Sequence, residues 1–236
     1  MALPQMSTPY YNAYIPSTEQ AISFRPFLVK EEKALLLAQQ SDDITVMIGT
    51  LKEIIKSCVK DPIDVNSLAL FDVEYLFTQI RAKSVGEEIE LIFTCGHCDQ
   101  EKNKVKLNID LTKIPLIKDP DHSNRIPLFG DVGVLMRYPT IDTLKRTDIN
   151  KDDINAIMDV VIECIEAIYT DEEVFYTKEQ TKAEIEEFVM NLTKEQFDKI
   201  ENFFTTVPKY KQDIEYDCPA CGAHNITVLE GTASFF

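Results

Sequence analysis

The sequence predicts an α+β fold: a mostly helical body carrying a small antiparallel β module, which two CxxC knuckles distant in sequence hold together. Three observations lead there. Apolar residues recur at helical spacing through much of residues 30–83 and 154–204. Two regions switch to apolar/polar alternation, residues 88–110 and residues 211–231. Each alternating region is interrupted by two cysteines in CxxC spacing, Cys95/Cys98 in the first and Cys218/Cys221 in the second.

The 236 residues are enough for a sizeable core in one domain or two packed ones. Forty acidic against 24 basic residues give a formal charge of −16, which repels nucleic acid and anionic membrane surfaces and favours solubility or a basic protein partner. The first twenty residues carry no basic region, apolar segment or small-residue cleavage site, so no signal peptide is expected. No apolar run approaches the roughly 20 residues that span a bilayer. A reducing cytoplasm is therefore expected, in which the six cysteines serve as ligands or core residues rather than disulfides.

Taken in order, residues 1–20 read as an extended arm: Pro4, Pro9 and Pro16 block regular structure while Tyr10, Tyr11 and Tyr14 offer apolar anchors. Residues 21–85 read as a short edge strand (21–28, with Pro26) followed by helices. The first helix begins at Lys30 with Glu31 and Glu32 in its opening turn. The second is capped near Ser41-Asp42-Asp43, carries Ile48, Leu51, Ile55 and Cys58 on one face, and ends by Pro62. The third runs from about Phe71 to Lys83 with Val73, Leu76, Phe77 and Ile80 facing the core. Residues 86–110 together with 210–236 form the β module, in which strand, CxxC, strand occurs twice. Residues 111–209 read as a helical insertion. It opens with a Pro-rich loop over 111–130 and a strand at 132–138. A helix capped by Asp152-Asp153 follows, running through Ile157, Met158, Val161, Ile165 and Ile168. Two more helices cover 179–192 and 194–204, the last opening on the capping box Thr193/Gln196.

Structural zinc takes four tetrahedral ligands, and a knuckle supplies two thiolates from one tight turn, so two knuckles complete the shell. Gly96, Pro219 and Gly222 suit such turns. Cys95, Cys98, Cys218 and Cys221 are thus expected to bind one structural Zn2+, tying the middle of the chain to its C-terminal region. A rival is a thiol-disulfide oxidoreductase, because Cys95-Gly96-His97-Cys98 spells the CGHC redox motif. That chemistry wants the first cysteine at a helix N-terminus, whereas the residues after Cys98 lead into the alternating Val105–Ile109. His97 and His224 are read as knuckle-loop residues, His122 as a loop residue, and Cys58 and Cys164 as small core hydrophobes.

Nothing in the sequence argues for an enzyme. An all-cysteine site leaves no open coordination position, there is no GxGxxG or phosphate loop, and three histidines supply no triad base. Acid pairs such as Glu186-Glu187 are read as solvated helix faces.

Two stretches carry a family resemblance: Ile22-Ser23-Phe24-Arg25-Pro26-Phe27-Leu28-Val29-Lys30-Glu31-Glu32-Lys33 with Leu35-Leu36, and Ile80-Arg81-Ala82-Lys83-Ser84-Val85-Gly86-Glu87. They resemble the baseplate hub family of T-even-type (T4-like) contractile-tailed bacteriophages, which includes a hub subunit and a hub assembly protein. The resemblance implies a protein made in the host bacterial cytoplasm that helps build the tail baseplate hub or stays in the virion. Its partners would be other baseplate hub and tail proteins, with no nucleic acid or membrane; self-association is left open. A zinc-ribbon adaptor contacting transcription machinery is the alternative from another class.

Overall fold

The computed structural model describes residues 7–41, 43–98, 103–146 and 154–231. The expected caps Asp42 and Asp152-Asp153, residues 99–102, and residues 1–6 and 232–236 lie outside them. Elements follow in the order β1 (Tyr11–Tyr14), β2 (Ala21–Phe24), α1 (Val29–Gln39), α2 (Ile44–Cys58), α3 (Leu70–Ser84), β3 (Glu88–Thr94), β4 (Lys104–Asp110) and β5 (Leu116–Ile117). Then come β6 (Arg125–Phe129), β7 (Val132–Met136), α4 (Ile141–Arg146), α5 (Ile154–Cys164), β8 (Ile165–Tyr169) and β9 (Val174–Tyr176). The chain closes with α6 (Lys182–Met190), α7 (Lys194–Thr206), β10 (Lys209–Asp217) and β11 (His224–Glu230).

The α+β class stands, but the body is not mostly helical: eleven strands accompany seven α-helices among the described residues. Beside β1, in the stretch read as an extended arm, and the short β9, two misreadings contribute. Residues 165–169 fit both periods, since Val161, Ile165 and Ile168 are helically spaced while Ile165, Ala167 and Tyr169 alternate. The sheet wins: those three bury as one face of β8 against β7. The Pro-rich stretch expected to be loop contains β5 and β6, because Pro127 sits on an edge strand, where its missing N–H costs no ladder bond.

Two compact units result: residues 1–65, 71–117 and 209–236, and residues 66–70 and 118–208. In the first, β1 and β2 form a hairpin whose Ala13, Ile15, Ile22 and Phe24 are buried. Ser17 in its turn donates from N–H and Oγ to the fully buried Asp72 carboxylate of α3, at 2.8 and 2.6 Å. Glu31, in the first turn of α1, accepts from Arg25 at 2.9 Å, from the Leu28 N–H at 2.7 Å and from Ser57 at 3.2 Å. Burial opposes its charge, yet the Arg25 and Leu28 bonds hold the carboxyl down at about 2. Asp43 caps α2 by accepting from the Thr45 and Val46 N–H groups.

In the second unit, an antiparallel sheet in the order β6-β7-β8-β9 is covered by helices. Val134, Met136 and Ile165 of the sheet join Val161, Ile185, Val189, Ile200 and Phe203 of α5, α6 and α7 in one core. Gly133 is required on β7, because a Cβ there would meet the Tyr169 ring at 2.2 Å. Both α6 and α7 open on capping boxes, Thr181/Glu184 and the expected Thr193/Gln196. His122 lies in a loop as expected, but with partners: it stacks on Tyr138, packs tilted against Phe203 and its Nδ1 lies 2.8 Å from Thr206 Oγ1; burial lowers its pKa.

Candidate metal centre

The β module is two antiparallel hairpins. In one, β3 pairs with β4 from Glu88↔Asp110 to Thr94↔Lys104; in the other, β10 pairs with β11 from Lys211↔Glu230 to Asp217↔His224. Alternation turns Ile89, Phe93 and Ile109 of the first and Ile214, Tyr216 and Leu229 of the second into a shared small core. Phe93 and Tyr216 pack with ring centroids 5.4 Å apart, and the Tyr216 hydroxyl donates to the Thr94 carbonyl at 3.0 Å. The hairpins are therefore fixed side by side next to their cysteine-bearing ends.

There the four cysteines meet. Cys95 Sγ lies 3.9 Å from Cys221 Sγ, Cys98 Sγ lies 3.8 Å from Cys218 Sγ, and all four sulfurs lie within 4.8 Å of one another. A disulfide would bring two sulfurs to about 2.05 Å. Four thiolates about 2.3 Å from a tetrahedral ion stand about 3.8 Å from each other. The donor set and its spacing thus fit a tetrahedral tetrathiolate metal centre. Cys95 and Cys218 are buried, Cys98 is half-buried and Cys221 is exposed, so the centre sits at the rim of the module.

The knuckle backbones are shaped to hold thiolates. The His97 N–H donates to Cys95 Sγ at 3.3 Å and the Ala220 N–H to Cys218 Sγ at 3.4 Å. The Cys221 N–H is the main influence holding the Cys218 thiol at about 7, against burial and with help from Ala220. The His97 N–H likewise lowers Cys95. The second knuckle closes by mutual bonds, Cys218 N–H to the Ala223 carbonyl and Gly222 N–H to the Cys218 carbonyl, both 2.9 Å, with Gly222 at φ +72°. β3 leads directly into Cys95, and β4 begins at Lys104.

One residue escaped sequence reasoning. Asn225, buried on β11, accepts from the Gly96 N–H at 3.2 Å and donates to the Ala223 carbonyl at 2.8 Å, stitching one knuckle to the other. An asparagine inside an alternating strand, on its inward face, was the available signal. His97 and His224 remain outside the sulfur group. His97 is exposed, and the His224 Nδ1 lies 2.9 Å from Asp217. Cys58 and Cys164 are buried and do not belong to the sulfur group, and burial pushes the Cys164 thiol up to about 12.

Among the described residues no helix is long and apolar enough to cross a membrane. A protein-family model described as T4 bacteriophage base plate protein matches residues 8–236. Neither the curated proteins nor the solved structures yield a match.

Proposed function

Because the chain belongs to the T4 bacteriophage base plate protein family, we propose that it is a non-enzymatic structural or assembly protein of the baseplate hub in a contractile phage tail. It acts through protein–protein contacts and is assembled in the cytoplasm of the infected host. The match over residues 8–236 is the observation that carries this reading, since it spans both compact units rather than one module.

Cys95, Cys98, Cys218 and Cys221 hold one structural Zn2+ in this account. When bound, zinc closes a four-sulfur clasp and leaves no coordination position for substrate. The chain's own residues do the rest: the His97, Ala220 and Cys221 N–H groups favour the thiolates, and Asn225 sets the distance between knuckles. The clasp joins segments 120 residues apart, Cys98 and Cys218. A clasp of this kind holds a rigid surface rather than a reacting group.

Mass spectrometry of purified virions and of phage-infected lysate tests the functional reading. A hub subunit co-purifies with particles, whereas an assembly factor is absent from them and present in lysate complexes with tail proteins. Association with neither overturns the reading.

A further inference from the structure

The two edges of the four-stranded sheet are treated differently. β6 carries Pro127 and an irregular register between Pro127 and Phe129, both devices that discourage a new strand from pairing. β9, at the other edge, has neither: Val174, Phe175 and Tyr176 pair with β8 without a shift and bear no charge. All three side chains are exposed, at 47, 37 and 40%.

Register shows which backbone groups face outward. Thr170 N–H donates to the Glu173 carbonyl at 2.8 Å. Antiparallel pairs alternate between bonded and non-bonded, so Ile168↔Phe175 is the next bonded pair. The N–H and C=O of Val174 and the N–H of Tyr176 therefore point away from β8, into the open edge, while the Tyr176 carbonyl opens the 3-10 turn Thr177–Glu179. Beside them stand Glu166, Asp171, Glu172, Glu173 and Glu179, all exposed; Lys178 lies 4.0 Å from Glu179 and its Nζ stands over the Tyr176 ring at 5.0 Å.

We propose that β9 is a docking edge for an extended, lysine- or arginine-bearing segment of another protein, which adds to the sheet as a fifth strand. Main-chain bonds to Val174 and to the Tyr176 N–H supply affinity, and the exposed apolar side chains offer contacts to alternate residues of the guest. The carboxylates select a basic guest and steer its approach. A second copy of β9 would bring the same carboxylates against these, so self-pairing is disfavoured. This surface lies within one compact unit and is independent of the cysteine clasp.

The test uses the full chain and two capped six-residue peptides, one alternating Lys and Val, the other Glu and Val, read by amide hydrogen exchange. At ten times its dissociation constant, the lysine peptide slows exchange of the Val174 and Tyr176 amides about tenfold; the glutamate peptide does not. Val174→Pro removes one outward donor without touching the Ile168–Phe175 pair, so it abolishes Tyr176 protection at unchanged melting temperature. Should that variant not fold, Glu172→Lys with Glu173→Lys must lower the lysine peptide's affinity. Equal slowing by both peptides, slowing spread over β11, unchanged binding by these variants, or protection that grows with protein concentration alone overturns the proposal.

Discussion

The β module around the cysteines and the sheet-and-helix unit solve the same problem with different means. The module has eight buried core residues, from Ile89 to Leu229, spread over two hairpins and the segment that follows β4. The core cluster of the other unit holds twelve, with Val134, Met136, Cys164, Ile165 and Ile200 wholly sealed from solvent. A small two-hairpin core supplies little apolar burial against the entropy of ordering its chain. A structural zinc held by the four cysteines, with an apparent binding energy on the order of 10–16 kcal/mol, would make up the difference. Where three helices cover a sheet, no such staple is needed.

The largest expected effect breaks the module alone. Cys218→Ser, or a strong chelator, should abolish slow hydrogen exchange in β3, β4, β10 and β11 while the amides of β7 and β8 stay protected. Loss of protection in both units at once would mean that the clasp is not a local device.

Next is Glu31→Gln, which leaves the Arg25 guanidinium without its buried partner and should cost about 3–5 kcal/mol in denaturant unfolding. The folded carboxyl sits at about 2, below its ordinary 4.5. Its contribution is therefore fully present above about pH 5 and is lost as pH falls towards 2. The wild type should show this acid loss and the variant should lack it.

In the helix-covered unit, Ile200→Ala should cost about 2–5 kcal/mol by opening a cavity in a sealed core. Zinc content should be unchanged, so this variant is the mirror image of Cys218→Ser. The smallest effect is Thr193→Ala, which removes the N-cap of α7 for about 1 kcal/mol, seen as a modest fall in melting temperature.

Legibility in the sequence differed between the same two regions. The four cysteines and the hairpins were plain, because CxxC spacing between alternating strands has few other uses, and the Thr193/Gln196 box was read correctly. Asn225 was not, since its role depends on a backbone N–H that the fold brings 129 residues across the sequence. In the other unit, Ile165–Tyr169 satisfied two periods at once and only its pairing with β7 decided between them. β6 was hidden by Pro127. β9 was hidden because three exposed apolar residues do not alternate. Edge strands, whose side chains answer to solvent on both faces, are where periodicity says least.

The most direct measurement is elemental analysis of the full chain purified without chelator. The wild type should carry one zinc per chain, and Cys218→Ser should lose it. A wild type that folds without metal, or a Cys218→Ser variant that retains full zinc, would contradict the zinc clasp.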